Sequence, residues 1–221
     1  MTLEHLIVLR HGETDWNRAR RMQGHRDVPL NELGRRQAAE AAPSVAALQP
    51  ELIVSSDLSR ARETAEVVAA RCRLPLATDA RLRETSLGDW EGLTRADVEA
   101  GWPGEWAAWR TSSSRLAPPG GESRWQVAQR ARAVVDELDA GTTARRALLV
   151  AHGGLIVGLT GELLQLPEEA WSTLIGVGNC HWVGLHRVDG PVPGAPWRLH
   201  AYNAGLGGVV LPSGEDEVAG V

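Results

Sequence analysis

Two short apolar runs in this chain each end in a His-Gly pair, and these are its only His-Gly pairs. Leu6-Ile7-Val8-Leu9 leads into Arg10-His11-Gly12-Glu13, and Ala147-Leu148-Leu149-Val150-Ala151 leads into His152-Gly153-Gly154. An apolar run without alternation, closed by a Gly-containing turn, is the pattern of a strand buried on both faces. Strands of that kind belong to parallel sheets, which need long crossover connections, usually helices.

The intervening segments supply such helices. Asn31 is a candidate N-cap for a helix to about Leu48, with Leu33, Ala38, Ala41, Val45 and Leu48 as its apolar face; Pro43 should kink or shorten it. Leu52-Ile53-Val54 reads as a second strand. Ser55, Ser56 and Asp57 are cap candidates for the helix that follows, through Ala65, Val68 and Ala69 toward Cys72, with Arg60 in its first turn. Leu74-Pro75-Leu76 reads as a weak strand, Ser123 caps a helix carrying Val127, Ala131, Val134, Val135 and Leu138, and a further helix runs from about Leu155 to Leu164. The alternating runs Trp182 to His186 and Trp197 to Ala201 read as outer or edge strands.

Strands alternating with helices predict an α/β fold, three layers α/β/α around a mostly parallel sheet, which binds ligands outside the carboxyl ends of its strands. His11 and His152 both fall at that edge. A chain of 221 residues with 43% hydrophobic content is read as one domain over residues 1–221, with a polar, acidic tail from about residue 212.

Composition narrows the chemistry. The chain has no lysine, so all 23 basic residues are Arg, which excludes a Schiff-base lysine, a pyridoxal-phosphate anchor and a Walker lysine. A net charge of −5 argues against a nucleic-acid or anionic-membrane surface. Cys72 and Cys180 lie far apart in no metal-ligand pattern and are expected to be buried thiols. The first apolar run is too short for a signal segment or a membrane span, so a cytoplasmic location is expected.

At the sheet edge, His11 is suited to accept a phosphoryl group as a neutral imidazole. Arg10 and Arg60 can neutralise the transferred oxygens through charge-assisted forks, with His152 as a further donor. Glu84 is assigned to protonate the leaving oxygen and then deprotonate water. Asn17 and Gln23 offer neutral contacts to phosphate or substrate.

The stretch Leu9-Arg10-His11-Gly12-Glu13-Thr14-Asp15-Trp16-Asn17 resembles the signature of the histidine phosphatase (phosphoglycerate mutase-like) superfamily. Five further stretches follow in the family's order: Met22-Gln23-Gly24, Leu33 to Ala38, Ser55 to Ala65 with Arg60, Leu82-Arg83-Glu84 through Gly92, and Ala151-His152-Gly153-Gly154. The resemblance implies a phosphoglycerate mutase-like fold and metal-independent phosphomonoester hydrolysis through a phosphohistidine. It implies His11 as nucleophile, Glu84 as acid and base, and Arg10, Arg60 and His152 as the phosphate pocket, with Asn17, Gln23, Gly24 and Gly153 as further phosphate or substrate contacts. It calls for no cofactor and no metal. The implied partner is a small phosphorylated metabolite, not nucleic acid or membrane, and a homodimer is the candidate assembly.

Family mutases carry longer loops with extra basic residues after the acid; only Arg95, Arg110 and Arg115 stand between Glu84 and Pro118 here, which favours phosphatase over mutase. A broad-specificity phosphatase acting on phosphoserine, α-ribazole phosphate or sugar phosphates stays open. A metal-dependent hydrolase is disfavoured, since no His-x-x-x-His or His-Glu-x-x-His pair occurs, and no motif residue is missing as it would be in an inactive binding module. His5, His25, His181, His186 and His200 are read as structural. Trp16, Trp90 and the Trp102 to Trp109 group are read as packing under loops, and Arg35-Arg36 and Arg145-Arg146 as solvated faces.

Overall fold

In the computed structural model, which describes residues 3–111, 114–188 and 196–206, the two strands that end in His-Gly lie side by side. β1 (His5–Arg10) and β4 (Arg146–Ala151) run parallel, with Leu6 opposite Ala147 and Arg10 opposite Ala151. β2 (Leu52–Ser55) flanks β4 in parallel and carries the short β3 (Leu76–Thr78) on its outer side. β5 (Trp182–Arg187) and β6 (Trp197–Ala204) extend the other side antiparallel, giving the order β3-β2-β4-β1-β5-β6.

Alternate residues of the central runs serve opposite faces, as a doubly covered sheet requires. Leu6, Val8, Leu149 and Ala151 pack with α6 (Arg124–Gly141) and α7 (Gly153–Leu163), through Val127, Val134, Leu155 and Leu159. Ile7, Leu9, Leu148 and Val150 pack on the other face with α2 (Glu32–Ala47) and α3 (Ser59–Cys72), through Val45, Ala61 and Val68. A separate cluster of Trp90, Trp106 and Trp109 with Met22, Leu87 and Val98 ties α4 (Arg95–Gly101) and α5 (Pro103–Thr111) to the loops beneath them. The rings meet edge-on or stacked at 5.6 to 5.8 Å, so these tryptophans are packing, as their sequence context suggested. The tail beyond residue 212 lies outside the described residues.

Several local expectations are corrected. α2 runs unbroken through Pro43, because the ring and Ala39, whose carbonyl loses its bond, both face solvent. Its buried seam is Gly34, Ala38, Ala41, Ala42 and Val45, which leaves Leu33 and Leu48 exposed. Leu58, not Ser55, Ser56 or Asp57, holds the N-cap position of α3, and it makes no side-chain cap bond. The cap comes from elsewhere: Asp27 Oδ1 accepts from the Ser59 N–H and hydroxyl. Helix α7 begins at Gly153, two residues before the expected start. Cys180 is buried but Cys72 only partly so.

Candidate active site

The β1–β4 register fixes the centre. His11 and His152 each stand one residue beyond the paired ends Arg10 and Ala151, and their ring centroids lie 5.1 Å apart. Both are buried. β2 on the far side of β4 leads into α3, whose first turn brings in Arg60, fully buried.

The backbone around His11 is tightly held. Its Nδ1 lies 2.6 Å from the Gly12 carbonyl, which sets Nδ1 as the protonated nitrogen and leaves the Nε2 lone pair for chemistry. The Gly12 N–H donates to Thr64 Oγ1 and the Glu13 N–H to Gln37 Oε1, while Asn179 Nδ2 donates to the His11 carbonyl. Gly12 and Gly34 permit close passage of this turn over the start of α2: a Cβ on Gly34 would lie 2.1 Å from the Glu13 carbonyl oxygen.

Arg10 Nη1 donates to the Val177 carbonyl at 2.6 Å, and Arg60 donates to the Arg26 and Gly24 carbonyls at 2.8 and 2.9 Å. Each guanidinium keeps a buried Nε without a protein partner, and so does each ring nitrogen of His152. Buried donors left unmatched are costly, and the two guanidinium Nε–H groups with the one N–H of a neutral His152 ring suit an oxyanion. Burial pushes the Arg60 guanidinium down to about 10, with Glu84 and Asp27 opposing, so it stays charged at neutral pH. Burial first, and then Arg60, hold both imidazoles well below their usual value, so both are neutral at pH 7.

Glu84 approaches from the third side, 3% exposed. Its Oε1 accepts from the Thr85 and Leu155 N–H groups at 2.8 and 3.0 Å, and Oε2 from the Gly154 N–H at 3.0 Å. The carboxyl therefore rests on the N-terminus of α7, whose open N–H groups and dipole favour negative charge. A Cβ on Gly154 would lie 2.7 Å from Oε1, so glycine is what allows this seat.

The remaining predicted residues are in the neighbourhood with mixed engagement. Gln23 and Gly24 are buried; Gln23 Oε1 accepts from Thr14 Oγ1, and the Gly24 carbonyl holds Arg60. Asn17 sits in the capping box of α1 (Asp15–Arg18), its Oδ1 taken by Thr14, so its amide nitrogen is the end an anion would meet. Gly153 is buried in the first turn of α7. Sequence reasoning missed a second set. His25, read as structural, places Nε2 2.8 Å from the Glu84 carbonyl, and Arg130 and Glu122 bracket the same segment. Arg130 is one arginine among many and carried no signal. Among the described residues, no three His, Cys, Asp or Glu side chains form a group that could hold a metal ion, and no helix is long and apolar enough to cross a membrane.

Comparison with known proteins gives the family. The family model described as histidine phosphatase superfamily (branch 1) matches residues 6–203. A glucosyl-3-phosphoglycerate phosphatase of Mycolicibacterium vanbaalenii is 48% identical over 218 residues, covering 92% of this chain and 96% of its own length. One of Mycobacterium tuberculosis is 47% identical over 215 residues, with the same coverage. A solved mycobacterial glucosyl-3-phosphoglycerate phosphatase in complex with VO3 superposes with a TM-score of 0.85 at 48% identity, over 91% of this chain and 99% of that one.

Proposed function

Because the chain belongs to the histidine phosphatase superfamily and is a phosphomonoesterase of that family, we propose that it hydrolyses glucosyl-3-phosphoglycerate through a phosphoryl group carried on His11 Nε2. The observation that carries the reading of the site is the neutral, Nδ1-anchored imidazole of His11 beside buried, unmatched nitrogens of Arg10, Arg60 and His152.

In the first step the Nε2 lone pair attacks phosphorus and the bond to the ester oxygen breaks. Arg10, Arg60 and His152 bind the three transferred oxygens, where positioning and charge stabilisation provide most of the catalysis. Glu84 supplies the proton that the leaving alkoxide needs. In the second step Glu84 takes a proton from water, the water oxygen attacks phosphorus, and the P–N bond breaks to release phosphate and neutral His11. Asn17 and Gln23 meet the anion through their amide nitrogens, and Gly24 and Gly153 through backbone. No residue in this scheme needs a metal or cofactor.

The substrate assignment rests on the two relatives at 48% and 47% identity, which match this chain over nearly their whole lengths. A cytoplasmic setting belongs to the same proposal and is supported by two unpaired thiols, Cys72 and Cys180. The test is a kinetic screen of glucosyl-3-phosphoglycerate against 3-phosphoglycerate, phosphoserine and α-ribazole phosphate. A kcat/KM for the glucosylated ester at least about tenfold above the others, or about 1.4 kcal/mol of transition-state preference, is the expected result. Comparable values throughout mean a broad-specificity phosphatase, and 2-phosphoglycerate formed from 3-phosphoglycerate means a mutase.

A further inference from the structure

The acid segment is fastened at both ends. The carboxyl end of Glu84 rests on α7. Its backbone hangs from Arg130 of α6. Arg130 Nη1 donates to the Arg81 and Arg83 carbonyls at 2.6 and 2.7 Å, and Nη2 donates to the Glu84 carbonyl at 2.7 Å. Nε and Nη2 also form a fork with Glu122, both at 3.0 Å. Glu122 Oε2 in turn accepts from the Ser86 N–H at 2.9 Å. One guanidinium thus grips three carbonyls across residues 81–84, and its carboxylate partner grips the chain two residues past the acid.

His25 joins this assembly to the phosphate pocket. Its Nε2 donates to the Glu84 carbonyl, the same oxygen that Arg130 holds, and stands 3.7 Å from Glu122 Oε2. His25 lies between Gly24 and Arg26, whose carbonyls hold the Arg60 guanidinium. The loop that orients the phosphate-binding arginine and the segment that carries the acid therefore share one carbonyl. Arg130 and Glu122 are themselves mostly shielded, at 18% and 25% side-chain exposure, which makes the fork stiffer and stronger than a surface pair.

We infer that Arg130 and Glu122, with His25 as the link, are positioning residues that set the height of Glu84 against the phosphate held by Arg60. The inference rests on Glu84 being the acid of the proposed reaction. A displacement of about 1 Å at a reacting group costs on the order of 100-fold, and general acid catalysis contributes roughly 10²- to 10⁴-fold. A misplaced acid harms poor leaving groups most, since a nitrophenolate leaves with little help from a proton. A role in folding alone lowers activity on every substrate alike.

The experiment measures kcat/KM, which reports only steps through phosphorylation of His11, on glycerol 3-phosphate and on p-nitrophenyl phosphate. Arg130→Lys keeps the charge and loses the fork; Glu122→Gln keeps the size and loses the charge, and serves if the lysine variant does not fold. Each should lose about tenfold or more on the alkyl ester and less than about threefold on the aryl ester, with native circular dichroism. Equal losses on both esters, or none, in a folded variant overturn the inference. Glu84→Gln is run in parallel. If it shows the selective loss and the fork variants do not, only the positioning inference falls; if it shows none, the Glu84 assignment falls and takes the inference with it.

Discussion

The role proposed for His11 requires a neutral ring, and its surroundings keep it so. Burial is the largest cause, and Arg60 and Arg10 repel a proton further, against the pull of the Gly12 carbonyl. His152 is held down by burial and Arg60 in the same way. Stability should carry the mark of this. With a depressed pKa in the folded state and an ordinary value near 6.5 in the unfolded chain, the unfolded state binds more protons as pH falls below about 6.5. Stability is therefore complete above that pH and declines below it, by up to roughly 1.4 kcal/mol per pH unit for each such histidine. Urea unfolding between pH 7.5 and 5 should show the decline, with a shallower slope in His152→Gln; a flat profile would falsify the assignment of both rings as buried and neutral. The identities of these residues were readable because motif order carries chemistry: Arg10, His11, Arg60, Glu84 and His152 converge as foreseen. Contacts made by backbone were not readable, since a carbonyl or N–H has no letter in the sequence. The three N–H groups on Glu84 and the carbonyls on Arg60 and Arg130 belong to that class.

The helices act as platforms for these side chains, and small residues set how closely they approach. The seam of α2 is built from Gly34, three alanines and Val45, with the glycine in the first turn, so the turn carrying His11 and Glu13 lies directly on that first turn. Gly34→Ala would press a methyl against the Glu13 carbonyl. Overpacking of this kind costs about 1 to 3 kcal/mol, which for a chain of this size lowers Tm by roughly 2 to 4 °C per kcal/mol. Thermal unfolding checks it, and an unchanged Tm would contradict the close approach. Gly154→Ala is expected to act differently, dislodging Glu84 from α7 and lowering kcat by about tenfold or more with little change in Tm; a variant with wild-type kcat counts against the α7 seat. Helical periodicity located α2, α3, α6 and α7, but it could not choose between large and small residues for the seam, which is why Leu33 and Leu48 turned out exposed. The cap of α3 escaped for a different reason: Asp27 comes from a loop more than thirty residues earlier.

The strand order β2-β4-β1 is what unites the pocket, since it sets Arg60, His152 and His11 at neighbouring strand ends from three distant parts of the chain. Runs of apolar residues announced the strands and their burial on both faces, but not which strand lies beside which. We read the chain as one domain, and a single cooperative unfolding transition by both tryptophan fluorescence and far-UV circular dichroism is the expected outcome, with separate transitions contradicting it. In the proposed scheme guanidinium and imidazole groups meet the phosphate charge, so turnover should be unchanged by EDTA, and its loss would call for a metal-based scheme. The most direct test is acid-quench trapping with substrate labelled on phosphorus. A label bound to the protein that is stable in base, labile in acid, located on His11 and absent from a folded His11→Ala variant is the predicted result. Label on another residue, or full turnover by the His11→Ala variant, would contradict the phosphohistidine route.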